Sequence, residues 1–592
     1  MNSKSTAIKV WRAWRWAILF ASIGIVAGLG AVAFNYLTQI GSHAFLDWMA
    51  GYRPPSPPGE GALLPPTQTP FNRWVLLFLP AIGGILSGWL VFTFAPEAEG
   101  HGTDAAIKAY HSDGGVIRPR VPLIKMVAST ITLSSGGSGG REGPIAQIGA
   151  GFGSFLATRL GLTAAERRVM MAAGIGAGIG SIFRAPLAGA LFAAEVLYRD
   201  PELEYEVIIP SGVASVIAYC IYCMVFGWGS LFESPDFLFR NPLELGLYAV
   251  LALVLVLLSA VYVKSFYGVV ALFHKLRIPR YFKPALGGLC TGVIGFFWPE
   301  TLSFGYGFVQ QAFNLEATVP FLLILAIGKI FTTSFSIGSG GSGGVFGPSI
   351  VIGGAMGGAV GLVFHQWMPT LVTQPGAFAV VGMAGFFTAV SNTPISTIII
   401  VSEMTGSYHL LLPSLLVCSI TYMMSRPWTI FQNQVNRRVD SPAHAGEFFI
   451  DILQSIRVKD LIAQVRHVKA IPQDMSFREF RQYFSESEQH YFPVVDQHGK
   501  LSSIFSINDV RAVLFSPGIG QLVVMKDIGT SDIITTTPSE DLNSVLQKFT
   551  VKNIDSLPVV HDDDARELIG MLNRREVIAY YNQRVQEMKA MK

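Results

Sequence analysis

The stretch SSGGSGGREGPIAQIGAGFG (134–153) returns later in the chain as GSGGSGGVFGPSIVIGGAMG (338–357), identical at eleven of twenty positions without a gap. A second pair follows each copy. FRAPLAGALFAAEV (183–196) matches VSNTPISTIIIVSEM (390–404), and Pro186 and Pro394 precede Glu195 and Glu403 by the same nine residues. Two ordered pairs of matches mean that this part of the chain is two copies of one fold, so each element of one half needs a counterpart in the other.

The copies belong in lipid. Of 592 residues, 51% are hydrophobic and 14% charged, against about a quarter charged in soluble domains. Apolar stretches near 17–38, 74–95, 122–134, 169–197, 207–228, 244–273, 319–336, 376–403 and 408–425 can cross or enter a bilayer, whose core takes roughly 20 helical residues. Several are broken by Gly and Pro, which lipid tolerates only where the freed backbone is buried in protein or lines a polar cavity. Inverted repeats of such broken helices build midplane substrate sites in transporters.

The first apolar run follows Lys4, Lys9, Arg12 and Arg15. It is too long for a signal peptide and lacks a cleavage site. The basic residues predict a cytoplasmic N-terminal segment (1–16), which makes the Pro-rich stretch 53–70 an external loop. Cys220, Cys223, Cys290 and Cys418 sit in apolar surroundings with no second pair or His cluster, so they read as structural, with no metal. A net charge of +3 gives no reason to invoke nucleic acid.

Each Gly-rich turn leads through a Pro into an apolar helix, the pattern of a helix that starts inside the protein. Such a start leaves amides unpaired and directs about half a positive charge beyond its end. An anion is the natural ligand, held by partial charges weakly enough to leave again. A phosphate-binding loop would need Gly-Lys-Ser/Thr after the glycines, and here Gly-Arg-Glu follows. Small residues in membrane helices also serve close packing, but packing alone does not explain a duplicated Gly/Ser motif with Pro at one offset. An enzyme would need converging acid, base or metal groups, and the apolar half offers only isolated glutamates.

At these residues the chain resembles the chloride channel and transporter (CLC) family. Gly140-Arg141-Glu142-Gly143-Pro144 is similar to its GREGP signature, and Gly344-Val345-Phe346-Gly347-Pro348 to its second G-x-F-x-P motif. Upstream, Gly100-His101-Gly102-Thr103-Asp104 resembles the first signature, usually Gly-Ser-Gly-Ile-Pro. The resemblance runs from about 17 to 445. It implies an α-helical polytopic membrane protein with two inverted repeats of broken helices (approximately 74–228 and 283–435), forming a homodimer with one pore per subunit in the plasma or inner membrane. Chloride would be held around His101, Gly102, Val345, Phe346 and Phe431, with no cofactor required. Glu142 would be the gating glutamate, a tethered anion competing for chloride's position, and an intramembrane glutamate is functional by default. Arg141 is expected as a structural partner. The complete GREGP motif favours chloride over fluoride, while nitrate and bicarbonate stay open.

Three positions depart from the family. His101 stands where a serine commonly lines the central anion site; it either adds pH sensitivity or is plainly structural. Phe431 aligns with the pore tyrosine and keeps the ring without the hydroxyl, with Thr429 the alternative if the alignment slips by two. Val196 replaces the glutamate that passes protons in exchangers. It implies passive or weakly proton-coupled conduction, with a tightly coupled Cl−/H+ antiporter as the alternative. Glu195 and Glu403 read as structural contacts near helix ends, against a transport role.

From 440–456 onward charged residues return. After a linker (446–456), residues 457–583 resemble a cytosolic α/β tandem pair of CBS domains, 457–516 and 524–583, followed by a tail (584–592). Val458-Lys459-Asp460-Leu461 opens one copy and Met525-Lys526-Asp527-Ile528 the next. Such pairs often bind adenine nucleotides through a Ser/Thr and an Asp three residues on. The first copy has Ser506 and Asp509, the second a degenerate Asn573 and Glu576. A helix cap accounts for the same spacing.

Overall fold

The computed structural model describes residues 3–445, 453–514 and 523–590. Most of the expected linker, 446–452, and the last two residues of the tail lie outside the described residues. The chain divides into two compact units, Met1–Ala443 and His444–Lys592.

Among its described residues the first unit has two sets of eight α-helices joined by loops and short turns. The first set is α1 (Ser3–Ser42), α2 (Arg73–Phe94), α3 (Thr103–His111), α4 (Arg120–Ser134), α5 (Glu142–Arg159), α6 (Ala164–Ile182), α7 (Pro186–Glu195) and α8 (Tyr205–Phe226). The second is α9 (Glu244–Lys275), α10 (Lys283–Phe297), α11 (Tyr306–Phe313), α12 (Val319–Gly338), α13 (Phe346–Trp367), α14 (Gly376–Ser391), α15 (Pro394–Thr405) and α16 (Leu411–Ser425). Among the described residues six helices, in α1, α2, α8, α9, α12 and α13, are long and apolar enough to cross a membrane.

Where single apolar stretches were expected at 169–197 and 376–403, the chain breaks before Pro186 and Pro394 into α6/α7 and α14/α15. Proline disfavours helical backbone in the residue before it, and both prolines are the first residue of the new helix. The expected N-terminal segment is continuous with the first span in α1. The repeat also reaches further upstream than the sequence match, because α1 packs on α4, α5, α6 and α8 as α9 packs on α12, α13, α14 and α16.

The two sets meet about a local twofold. Gly140 N donates to Gly344 O and Gly344 N to Gly140 O, both at 2.7 Å. Ser138 Oγ pairs with Thr333 Oγ1, and the equivalent Ser342 Oγ with Ser129 Oγ, each at 2.9 Å. An antiparallel bridge between equivalent residues is what an inverted pair requires. Small residues set the approach of helices: a Cβ on Gly149 or Gly174 would strike the carbonyl of the other, and so would one on Gly353 or Gly382. The packing role of the glycines is therefore real, in addition to the turns that start α5 and α13.

In the second unit, β1 (Ile471–Pro472) runs parallel to β2 (Tyr491–Val495), which pairs antiparallel with β3 (Leu501–Ser506). β4 (Ser556–Val560) pairs antiparallel with β5 (Leu568–Asn573). Both hairpins shift register at the equivalent step, Val494/Val495 and Val559/Val560. The two openings are exchanged between the copies. Val458 and Leu461 pack with Leu542, Val545 and Phe549 of the second copy, while Met525 packs with Phe477, Phe480 and Phe492 of the first. Each copy would lose apolar core if cut at the sequence boundary.

Candidate anion pathway

Three helix starts converge at the local twofold. The loop before α3 joins the second Gly-rich turn through the Gly100–Ser342 bridge and the bond from Gly343 N to Gly100 O. It also abuts the first motif so closely that a Cβ on Gly143 would strike His101 O. The turns into α5 and α13 need left-handed backbone at Gly136 (φ +99°) and Gly340 (φ +105°), which only glycine adopts freely. The first amides of α3, α5 and α13 have no partner within their own helices, so a polar, amide-rich centre lies inside an apolar body.

Glu142, 1% exposed, lies at that centre. Its Oε2 accepts from Gly347 N, in the first turn of α13, at 3.2 Å, and its Oε1 accepts from the Tyr306 hydroxyl. The carboxylate thus satisfies an amide at the start of α13. Arg141, expected as a structural partner, donates to Asn35 Oδ1 at 2.6 Å, pairs with Glu60 of the Pro-rich loop, and lies over the Phe304 ring at 4.8 Å. Val345 precedes α13 and Phe346 begins it; the Phe346 ring is enclosed by Phe183, Phe192 and Phe387. Pro144 and Pro348 fall in the first turns of α5 and α13.

His101 and Phe431 come together, ring centroids 5.6 Å apart, with Phe266 also on His101 at 6.1 Å. His101 is 8% exposed, and its Nδ1 has no hydrogen-bond partner among the described residues. Phe431, rather than Thr429, reaches this place. The Thr429 hydroxyl is occupied by Gln434 Oε1 at 2.7 Å and Phe431 N at 3.1 Å. A cavity of about 390 Å³ leads to His101 and Gly102, lined also by Glu99, Asp104, Gln147 and Asn433. A second, of about 120 Å³, reaches Arg141 and Phe304 past Arg53 and Glu60. Glu142 lines neither.

Val196 is fully buried just after α7, its carbonyl accepting from Gln434 Nε2 at 3.0 Å. Sequence reasoning missed Lys125 and Lys329, equivalent residues of α4 and α12 and both 0% exposed. Lys125 Nζ donates to Ala98 O and Gly100 O, and Lys329 Nζ to Ser303 O, at 3.0, 2.6 and 2.5 Å. Each holds the loop that precedes α3 or α11 through its carbonyls. The available signal was a lysine at one offset before each Gly-rich motif. Tyr306 and Glu60 carried no such signal.

In the second unit, a cleft of about 1190 Å³ between the two copies is lined by Ser506, Asn508, Arg511, Asn573, Arg574 and Arg575, among others. Asp509 caps the helix Ile507–Leu514, accepting from Ser506 N at 2.7 Å and Ser506 Oγ at 2.8 Å. Glu576 does the same for Asn573 N at 3.0 Å. Among the described residues, no group of three His, Cys, Asp or Glu could hold a metal.

An inverted pair of broken-helix repeats, with helix starts aimed at a buried carboxylate, defines an ion-transport protein. The chain belongs to the CLC family: residues 83–426 match the family described as voltage gated chloride channel, and 458–516 and 525–583 match the CBS domain. It is 30% identical to the H(+)/Cl(−) exchange transporter ClcA of Vibrio cholerae over 408 residues, 67% of this chain and 84% of that one. It is 26% identical to the chloride channel protein CLC-f of Arabidopsis thaliana over 647 aligned positions, 94% of this chain and 80% of that one. A slow cyanobacterial Cl−/H+ antiporter shares the fold with TM-score 0.62 and 24% identity, covering 70% of this chain and 94% of the other. A eukaryotic CLC transporter does so with TM-score 0.57 and 18% identity, covering 96% and 98%.

Proposed function

We propose that this CLC protein conducts chloride passively or with weak proton coupling, gated by Glu142, from a membrane position with both termini in the cytoplasm. One observation carries the reading: the Glu142 carboxylate rests on the Gly347 amide of an anion-binding helix start. A chloride arriving there must displace it. Protonation removes its charge and with it the attraction to the amides, so acid opens the path. His101, Gly102, Val345 and Phe346 supply the remaining donors, and Phe431 closes the His101 end without a hydroxyl. Weak coupling follows from Val196, because a proton crossing desolvated protein needs a titratable relay or water.

Tightly coupled Cl−/H+ exchange is the second reading, favoured by the name of the Vibrio cholerae relative. Reconstitution in liposomes with chloride and proton movement recorded together separates the two. Homodimeric assembly, and regulation by an adenine nucleotide in the cleft lined by Ser506, whose hydroxyl Asp509 holds, complete the proposal. The arginines there, Arg511, Arg574 and Arg575, suit phosphate.

A further inference from the structure

The loop Ser303–Phe304–Gly305–Tyr306 is the second repeat's counterpart of Gly100–His101–Gly102–Thr103. Both follow a short turn begun by Pro-Glu. Gly102 and Gly305 both take positive φ, +79° and +84°, immediately before α3 and α11. The carbonyls of Gly100 and Ser303 each accept from the equivalent lysine. The first loop carries the motif recognised in the sequence. The second does not resemble it, yet the twofold brings it to the same centre, where Phe304 covers Arg141 and Tyr306 meets Glu142.

The geometry points to Tyr306 as a latch on the gate: its phenol donates to the Glu142 carboxylate while that carboxylate holds the anion position, and so sets the pH at which the path opens. This rests on the gating role proposed for Glu142. Tyr306 is 2% exposed, with its ring held edge-on to Phe232 at 6.0 Å. Room for phenol and carboxylate together depends on Gly347, where a Cβ would crowd both Tyr306 Oη and Glu142 Oε2.

The other charged or titratable groups facing the pair are engaged elsewhere. Arg141 lies 6.0 Å from the Tyr306 ring and binds Glu60 and Asn35, with Tyr222 facing it. Lys329 is taken up by carbonyls. Among the described residues, no other side chain donates to Glu142. A donor bonded to the charged form favours it over the acid, and such charge-assisted bonds are roughly twice as strong as neutral ones. Phe431 lacks a hydroxyl, and the phenol on Glu142 is that of Tyr306.

The test is the external-pH profile of chloride efflux from liposomes containing the full chain, for wild type, Tyr306→Phe, Glu142→Gln and the double variant. Tyr306→Phe keeps the ring and is expected to move the opening midpoint up by about one pH unit, a tenfold change in proton activity. In the Glu142→Gln background it should leave a flat profile flat. An unshifted midpoint in Tyr306→Phe, with Glu142→Gln flattened, overturns the latch and spares the gate. An unchanged profile in Glu142→Gln overturns the gate and the latch with it. If Tyr306→Phe does not fold, 3-fluorotyrosine at 306, a more acidic donor of similar size, should move the midpoint down; no movement overturns the latch.

Discussion

Glu195 and Glu403 each cap the helix that carries the other. Glu195, at the end of α7, accepts from Ile395 N at 3.0 Å, Ser396 N at 2.7 Å and Ser396 Oγ at 2.6 Å, at the start of α15. Glu403, near the end of α15, accepts from Ala188 N at 2.9 Å and Leu187 N at 3.4 Å, at the start of α7. A carboxylate at a helix start satisfies orphan amides and complements the dipole. Replacing Glu195 with Ala leaves buried donors unpaired, at a cost of about 1–3 kcal/mol. We expect Glu195→Ala to lower the thermal midpoint of the detergent-solubilised protein while the pH profile of chloride flux keeps its shape. A changed profile at unchanged stability would return Glu195 to the transport path.

Glu142→Gln or Glu142→Ala removes the tethered anion from the Gly347 amide. Chloride flux in proteoliposomes should then lose most of its pH dependence and, at neutral pH, exceed that of wild type. Retention of the wild-type profile would exclude Glu142 as the gate.

Val196 sets the expectation for coupling. A chloride gradient should drive little uphill proton movement through the unmodified protein. Val196→Glu should alter the coupling if a carboxylate is tolerated among Gln434 and the end of α7. Robust proton pumping by wild type would mean that water replaces the missing relay.

Adenine nucleotide at millimolar concentration should give binding heat with the purified full-length protein, reduced several-fold by Arg574→Ala. Chloride flux should respond to the same nucleotide. Absence of both heat and flux response would leave the second unit as a structural module, with Ser506–Asp509 acting only as a helix cap.

The duplicated Gly/Ser motifs, the paired Pro-to-Glu spacing and the apolar composition were enough to read two copies of one fold and helix starts inside the protein, whereas the inversion of the halves and the place of Glu142 came with the family resemblance. Those features are local, because a glycine turn or a helix-starting proline acts on its own few residues. Pro186 and Pro394 were legible as a repeat spacing but not as the breaks that divide 169–197 and 376–403 into separate helices.

What the sequence could not contain was the identity of residues that meet only across the twofold. Tyr306 opens a helix whose loop no longer resembles its counterpart, and its bond to Glu142 exists because packing of the two halves brings α5 and α11 to one point. Lys125 and Lys329 look misplaced in apolar helices until the carbonyls of distant loops surround them. The CBS openings belong, by sequence order, to one copy and, by core packing, to the other. Local propensity is encoded in neighbouring residues, whereas pairing of buried polar groups is decided by which backbone carbonyls and amides the closed fold leaves without partners. Burial makes leaving them unpaired costly.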